Sequence, residues 1–383
     1  MRVGLIANTF ENSIGAVAGG HVHFLEVAKR WPDFELYVFA PELARETIAR
    51  ELPRATFVPM PALDGTVPNK QIRYLFRTLL AIARRSKLRS CDVLLATSHF
   101  LPDLAPAMFA KRGRFCVCIQ HVLDAPSVRA GAVIPNTITA IMQALSLALI
   151  RRFAPAVLLN DDATADAIGI DRHRTAVTLM THGIEHLTHE GTEASTEPAH
   201  RPVPDVVYVG RLVPTKGVDD LIAAWSDIVG RFPGARLTIA GGGDAAYVAE
   251  LEELARATNV GDSIDFTGRV SPAVKASLLA QARIFAFPSK EEGWGISIAE
   301  AMASGLPCVT YDLPAYRHVF TRGRVSVSLG DRRAFARAII DLFTDEPRRR
   351  SLSDEARSLA RTFSWETAAA IEGRALRELR AQR

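Results

Sequence analysis

Two short segments carry residues whose types and spacing suit an anionic, hydroxyl-rich ligand. The first is Gly210-Arg211-Leu212-Val213-Pro214-Thr215-Lys216-Gly217, which follows a β-branched apolar run and precedes an amphipathic one over Val218 to Ile228. Two fixed cations at the mouth of a strand-loop-helix turn, beside a helix N-terminus with unsatisfied amides, make a site for a diphosphate. A solvated basic loop is the plainer reading, but the flanking glycines let the backbone come close to a ligand. The second segment is Pro288-Ser289-Lys290-Glu291-Glu292-Gly293-Trp294-Gly295-Ile296-Ser297-Ile298-Ala299-Glu300, continued by Ala301-Met302-Ala303-Ser304-Gly305. Gly293 and Gly295, either side of Trp294, expose backbone NH groups at a helix start, with Glu292 on the loop and Glu300 a turn or more into the helix. Carboxylates accept hydrogen bonds from sugar hydroxyls, while a helix N-terminus suits phosphate oxygens. With Glu300 as an exposed helical residue and Glu292 as a loop cap, the paired glycines and the apolar Ala301-Met302-Ala303 face have no common purpose.

Such loops must be held by a scaffold, and the chain supplies a repeated one. Short β-branched runs alternate with helix-length amphipathic runs throughout, the signature of βαβ units and parallel sheets. Strands are predicted over Val3 to Ala7, Glu35 to Phe39, Thr56 to Val58, Asp92 to Ala96, Phe115 to Ile119, Ala156 to Leu159 and Val177 to Met180. Helices are predicted over Gly20 to Arg30, Lys70 to Lys87 and Thr137 to Arg152. The pattern breaks over His186 to Pro204, rich in Thr, Glu, His, Ser and Pro, which reads as an exposed linker. A second series follows, with strands over Val206 to Val209, Leu237 to Ala240, Ile264 to Phe266, Ile284 to Phe287, Cys308 to Tyr311 and Val325 to Val327. Parallel sheets bind ligands beyond the carboxyl ends of their strands, which is where both charged segments fall.

Composition bounds the rest. A chain of 383 residues fits two α/β domains, and 48% hydrophobic with 23% charged residues places it among globular proteins. A net charge of +4, with pI near 9.0, suits phosphate-bearing ligands or an anionic surface but is too weak to argue for nucleic acid. Cys91, Cys116, Cys118 and Cys308 sit in apolar runs without metal-ligand spacing and read as buried thiols in a reducing compartment. The N-terminal apolar stretch is too short for a signal peptide, and the longest apolar segment, Ile138 to Ile150, is too short to span a bilayer, so a cytoplasmic protein is expected.

Gly210-Arg211-x4-Lys216-Gly217 followed by Glu292-x7-Glu300 resembles the retaining glycosyltransferase family 4, whose members have the GT-B fold: α/β, two Rossmann-like domains facing across a cleft. The likeness covers most of residues 205 to 345, including Ala240-Gly241-Gly242-Gly243-Asp244, Phe266-Thr267-Gly268-Arg269-Val270 and Gly305-Leu306-Pro307-Cys308-Val309. It implies that Arg211 and Lys216 bind the donor diphosphate, Glu292 holds sugar hydroxyls near the reacting carbon, and Glu300 accepts the ribose hydroxyls. The backbone of Gly268-Arg269-Val270 would meet the nucleobase. In the first half, Gly19-Gly20 matches the family's glycine loop near the diphosphate and acceptor, and His121 matches a histidine that faces the donor sugar. The family often has an acidic residue after that histidine, where this chain has Val122 and then Asp124 two positions on. In place of an Asn-Gly-Val-Asp turn it has His182-Gly183-Ile184-Glu185.

The implied protein is a retaining glycosyltransferase moving a sugar from a nucleotide-diphosphate donor to a glycan, lipid or small molecule, with no metal and no cofactor beyond that co-substrate. Residues 1–190 would bind acceptor and 200–360 donor, and the helix within 361–383 would return to the first domain. An inactive nucleotide-sugar-binding protein on the same fold is the alternative from another class. An NAD(P)-dependent oxidoreductase is a weaker one: Gly241-Gly242-Gly243-Asp244-Ala245-Ala246 satisfies the dinucleotide pattern, with Asp265 further on, but on the second strand of its domain. His182, His186 and His189 could share a helical face, and His21 lies near His23, yet no standard ligand spacing completes a metal site. Arg73 to Arg89 interleaves basic and apolar residues; packing of the apolar face into the first core is expected, with peripheral contact to an anionic membrane as the alternative.

Overall fold

The structure, a computed structural model, describes residues 1–10, 19–62, 70–111, 113–122, 133–184 and 204–382. The predicted linker, apart from Pro204, lies outside them, as do Asp124, Glu185, His186 and His189. The chain divides into two compact units, Met1–Gly183 with Ser364–Arg383, and Ile184–Phe363.

The first unit is built on a seven-stranded parallel sheet of β1 (Arg2–Ile6), β2 (Glu35–Pro41), β3 (Thr56–Met60), β4 (Val93–Ala96), β5 (Phe115–Ile119), β6 (Ala156–Leu159) and β7 (Ala176–Leu179). The order is β3-β2-β1-β4-β5-β6-β7, with Val3 opposite Leu36 on one side and Val93 on the other. β4, β5 and β6 are buried along their whole length because helices cover both faces, which is why they read as unbroken apolar runs. One face packs α1 (Gly19–Lys29), α2 (Arg45–Glu51) and, from the far end of the chain, α14 (Trp365–Ala381). The other packs α3 (Lys70–Ala83), α4 (Leu101–Ala110), α5 (Val133–Phe153) and α6 (Asp162–Ala167).

The second unit is a six-stranded parallel sheet of β8 (Val206–Val209), β9 (Leu237–Ala240), β10 (Ile264–Gly268), β11 (Ile284–Phe287), β12 (Cys308–Tyr311) and β13 (Arg324–Val327), ordered β10-β9-β8-β11-β12-β13. Its helices are α7 (Val218–Arg231), α8 (Ala245–Ala257), α9 (Pro272–Gln281), α10 (Ile296–Ala303), α11 (Pro314–Arg317), α12 (Arg332–Thr344) and α13 (Glu346–Ala360). In both sheets the strand order reverses beside the first strand, between β1 and β4 and between β8 and β11, and ligand crevices form at such switch points.

Several helices depart from the sequence reading. The helix expected to reach Lys87 ends at Ala83, where i→i+3 bonds from Arg85, Lys87 and Leu88 tighten the chain and drop Leu88 into the core ahead of β4. α5 starts at Val133, not Thr137, since a proline in a first turn costs no intrahelical bond. α4 falls between β4 and β5, where the alternation expects a helix but Pro102 and Pro106 obscure its bounds. His182 lies in a segment that is not helical, so it is not on a helical face with His186 and His189, which lie outside the described residues.

A larger correction concerns which way two helices face. α3 turns Arg77, Thr78 and Ala81 inward and leaves Leu75, Phe76 and Leu79 exposed. α5 does the same, burying Gln143 and Ser146 while Ile138, Ile141 and Leu145 face out. Leu75, Phe76 and Leu79 of the apolar face of Arg73 to Arg89 therefore do not pack into the core, although Ala81 and Leu88 do.

Gly183 ends the first unit's outbound chain against the start of α14, where an added Cβ would lie 2.2 Å from the Trp365 backbone nitrogen. Overpacking of this kind costs about 1–3 kcal/mol, and main chain yields less readily than a side chain. Gly183→Ala is expected to lower the first unfolding midpoint in urea, read by Trp fluorescence; an unchanged midpoint would show that the α14 contact is not tight.

Candidate functional site

In the second unit the loops after β8 and β11 flank the switch point and are joined by main chain. Lys290 N donates to Thr215 O at 2.8 Å, and the buried Ser289 hydroxyl reaches Thr215 O at 3.3 Å and Glu291 O at 3.0 Å. Gly217, at φ 66°, closes the short 3₁₀ turn Pro214–Lys216 so near the β11 loop that a Cβ would sit 2.0 Å from Pro288 O. The β9 loop is drawn in likewise: Leu212 N donates to Gly242 O at 2.9 Å, and a Cβ on Gly241 would lie 1.7 Å from Gly210 O. Gly241 N in turn donates to Gly268 O at 2.8 Å, tying in the β10 loop. The glycine run that mimics a dinucleotide fingerprint is thus accounted for by loop-on-loop packing away from the first strand.

This joining brings Lys216 to Glu292: the Nζ is ion-paired to Oε1 and lies 3.4 Å from Glu291 O, and each side chain is about 13% exposed. Arg211 is exposed and forms no ion pair among the described residues, while its carbonyl accepts from the Tyr208 hydroxyl at 3.0 Å. Burial, with Glu292 nearby, pushes the Tyr208 and Tyr316 phenols well above their usual range, so both stay neutral beneath the loop. Gly295, at φ 105°, enters α10 without a side-chain cap, which leaves first-turn amides for a ligand. Glu300 sits on α10 and pairs with Lys275 of α9 at 2.6 Å. Trp294 is only 5% exposed, edge-on to Phe320 and Phe363, so its indole belongs to the core and only its backbone could serve a ligand. Val270 packs partly against the core, whereas the Gly268 Cα faces open space.

Behind the loops, Asp220 of α7 is buried and held by Tyr311 at 3.0 Å, Arg332 at 2.5 Å and Lys290 at 3.3 Å. Lys275 had no motif to mark it, and Lys290 lies in the second segment without a role assigned from sequence; both hold carboxylates.

The first unit collects a different set at the same edge. Asp103 of α4 is fully buried and accepts from Thr9 N at 3.0 Å, Thr9 Oγ1 at 2.8 Å and Ser98 Oγ at 2.6 Å, which fastens the β1 loop to the β4 loop. Arg77 Nη1 donates to Asn8 O at 2.9 Å and Phe10 O at 3.3 Å. His99, just past β4, lies 3.4 Å from Gln143 Oε1 of α5 and feels the charge of His121. His121 follows β5 and is partly buried, and Gly19 and Gly20 are the first two residues of α1. Applying the switch-point rule to β1 and β4 would have singled out Thr9, Ser98 and His99 from sequence. Among the described residues no cluster of three or more His, Cys, Asp or Glu side chains could hold a metal ion.

Residues 194–359 match the model of the family described as glycosyl transferases group 1. A D-inositol 3-phosphate glycosyltransferase of Corynebacterium urealyticum is 30% identical over 233 residues, 56% of this chain and 55% of that one. A phosphatidyl-myo-inositol mannosyltransferase of Mycolicibacterium smegmatis is 32% identical over 169 residues, 43% of this chain and 42% of that one. The chain thus matches about half the length of these curated relatives. A sucrose-phosphate synthase from Thermosynechococcus elongatus superposes with a TM-score of 0.81 over 99% of this chain and 98% of its own, at 18% identity. At that identity the likeness shows the fold, which is GT-B.

The buried pair near β4 gives the first unit a pH signature. Burial pushes His99 down to about 4, so its contribution to stability is present above the free imidazole value of roughly 6.5 and is lost as pH falls through about 4. Burial, against its hydrogen bonds, pushes Asp103 up to about 6, so its contribution is present below the free value of roughly 3.9 and is lost as pH rises through about 6. The two oppose each other between these limits. His99→Gln removes one, so on going from pH 6.5 to 4 the unfolding free energy of the variant should change less unfavourably than that of wild type, a difference of up to ~3 kcal/mol. Equal pH slopes in the two proteins would contradict a buried neutral His99.

Proposed function

We propose, from the premise that residues 194–359 form a group 1 glycosyltransferase module on a GT-B fold, that the chain moves a sugar from a nucleotide-diphosphate donor to an acceptor hydroxyl, with retention and without a metal ion. The observation that carries this reading is the Lys216–Glu292 pair at the β8/β11 switch point, beside exposed Arg211 and the uncapped start of α10. Arg211, Lys216 and the α10 amides take the diphosphate and stabilise its growing negative charge as the anomeric C–O bond breaks. Glu292 holds sugar hydroxyls where positive charge develops, Glu300 takes the ribose hydroxyls, and the Gly268-Arg269-Val270 backbone meets the base. The first unit receives the acceptor, with His121 toward the donor sugar and Gly19-Gly20 toward the diphosphate. The acceptor oxygen gains the anomeric carbon and its proton passes to the leaving phosphate in front-face attack; double displacement through a carboxylate gives the same stereochemistry.

The two carboxylates should differ in kind when altered. Glu300→Gln keeps an acceptor oxygen but loses a charge, so it should raise donor KM, weakening ground and transition states by roughly 1.5–3 kcal/mol. Glu292→Gln should lower kcat about ten-fold or more with little change in nucleoside diphosphate binding. Steady-state kinetics beside a nucleotide competition assay, using the donor that most raises Tm in a thermal-shift screen of UDP, GDP and ADP sugars, reads both. Wild-type kcat in Glu292→Gln, or a larger loss of nucleotide binding there than in Glu300→Gln, would reverse the assignment. Turnover should also survive saturating EDTA; loss restored by manganese or magnesium alone would end the metal-free reading.

The same reading extends to an acceptor carried at a membrane. Leu75, Phe76 and Leu79 of α3 and Ile138, Ile141 and Leu145 of α5 are exposed, and neither helix contains an acidic residue. Arg84, Lys87 and Arg89 follow α3, and a depression of about 600 Å³ is lined by Ile82, Arg85, Arg89, Phe109 and Ala110. No helix among the described residues is long and apolar enough to cross a membrane, so contact would be peripheral. Basic residues at an anionic surface contribute about 1 kcal/mol each, and exposed apolar side chains add to this on insertion. The relative named for phosphatidyl-myo-inositol supports a lipid acceptor. Wild-type protein should pellet with phosphatidylglycerol vesicles at low salt and be released at high salt, while Leu79→Glu with Ile141→Glu stays in the supernatant at unchanged Tm. Wild type that never pellets, or a double variant that pellets equally, would refute membrane contact through this face.

A further inference from the structure

Three buried polar side chains of the first unit, with the half-buried Asn160, form a single file that ends beside His121. Asn160 Nδ2, just past β6, donates to Gln120 O at 2.6 Å, and its Oδ1 lies 3.0 Å from His182 Nε2. His182 Nδ1 lies 2.9 Å from His23 Nδ1 on α1, and His23 Nε2 lies 2.6 Å from Glu372 Oε1 on α14. His23, His182 and Glu372 are each no more than 3% exposed, and Trp365 stands edge-on to both rings. Cys116 and Cys118 lie near Glu372, their thiols pushed up by burial and by that carboxylate. His121, the candidate facing the donor sugar, is the residue after Gln120.

The direction of every hydrogen bond follows from one fixed point. A peptide carbonyl only accepts, so Gln120 O sets the Asn160 amide with its NH₂ toward Gln120 and its oxygen toward His182. His182 must then donate from Nε2. Burial and the neighbouring His23 hold the His182 ring well below its usual range, hence neutral, which leaves Nδ1 as a lone pair. His23 must therefore donate from Nδ1. Between His23 Nε2 and Glu372 Oε1 one more proton is needed, because a bare nitrogen cannot face a bare carboxylate at 2.6 Å.

We infer that Asn160, His182, His23 and Glu372 are positioning residues for the Gln120–His121 segment, and that their file carries one buried proton shared between His23 and Glu372. Its link to turnover rests on the reading of His121 given above; the proton arrangement does not. The returning helix α14 thereby sets, through side chains alone, the carbonyl next to a proposed active-site histidine.

The test has a spectroscopic and a kinetic arm. In ¹⁵N-resolved histidine spectra of the full chain at neutral pH, His182 should be protonated at Nε2 and bare at Nδ1, and His23 should carry its proton on Nδ1. Glu372→Gln, whose amide can donate to His23 Nε2, should leave both assignments intact, because it replaces the shared proton with one of its own. A His182 protonated on Nδ1, or on both nitrogens, overturns the file whatever the enzyme does. Asn160→Leu and Asn160→Asp both remove the donor to Gln120 O and should lower kcat about ten-fold, with nucleoside diphosphate binding unchanged. If the spectra are as expected and both variants keep wild-type kcat, the file is structural and the positioning role is wrong. Absence of turnover by wild type with every donor would instead strike the proposed reaction and leave the spectroscopic result standing.

Discussion

The candidate site of the second unit depends on main chain meeting main chain at the carboxyl edge of its sheet. Where Gly241 lies on Gly210 O and Gly217 on Pro288 O, no Cβ has room, and the loops after β8, β9 and β11 behave as one surface. Side chains alone would not hold Lys216 against Glu292, since a part-exposed pair of long side chains contributes little once its ordering is counted. The loops fix the pair, and the neutral phenols of Tyr208 and Tyr316 beneath it let Glu292 be the charged group there without a competing anion.

The two units share a strand order through their first six strands but furnish the switch point differently. In the second, the groups at the edge are charged and partly exposed: Arg211, Lys216, Glu292 and Glu300. In the first they are buried: burial pushes Asp103 up to about 6 and His99 down to about 4, which keeps the imidazole neutral, and the Asp103 carboxyl is enclosed by hydrogen bonds from Thr9 and Ser98. A diphosphate needs fixed cations and free amides; a hydroxyl acceptor needs orientation and a dry, weakly charged surround, because a free charge there would compete with the reacting centre. That difference is in keeping with the division of donor and acceptor between the units proposed above.

Much of this was legible in sequence, and the parts that were not have definite reasons. Strands of parallel sheets are apolar throughout, so β5, β6, β8, β9, β11 and β12 could be read to the residue. The charged loops were legible because their residues lie within a few positions of a strand end. Periodicity, however, gives the angle between faces and not which face points in, and α3 and α5 put Arg77, Gln143 and Ser146 inside with leucine and isoleucine outside. The inward polar groups are explained by what they hold: Arg77 bonds the Asn8 and Phe10 carbonyls, and Ser146 bonds the His99 carbonyl. Partners such as Lys275 for Glu300 are 25 residues apart and belong to no motif.

The last helix shows most plainly what separation in sequence conceals. Its return to the first unit was expected, but a return could be made by apolar packing alone, and Trp365, Ala368, Ala369, Leu376 and Leu379 supply that packing. Glu372 is not needed for it. A carboxylate buried among apolar groups is unfavourable unless fully hydrogen-bonded, and replacing such a group by a leucine is often neutral or stabilising. Its presence 349 residues from His23, at 2.6 Å, is therefore poorly accounted for by stability. What an apolar residue there could not do is share the proton that the bare His23 Nε2 needs opposite it. The file whose directions start at the Gln120 carbonyl, beside His121, is thereby closed from the opposite end of the chain.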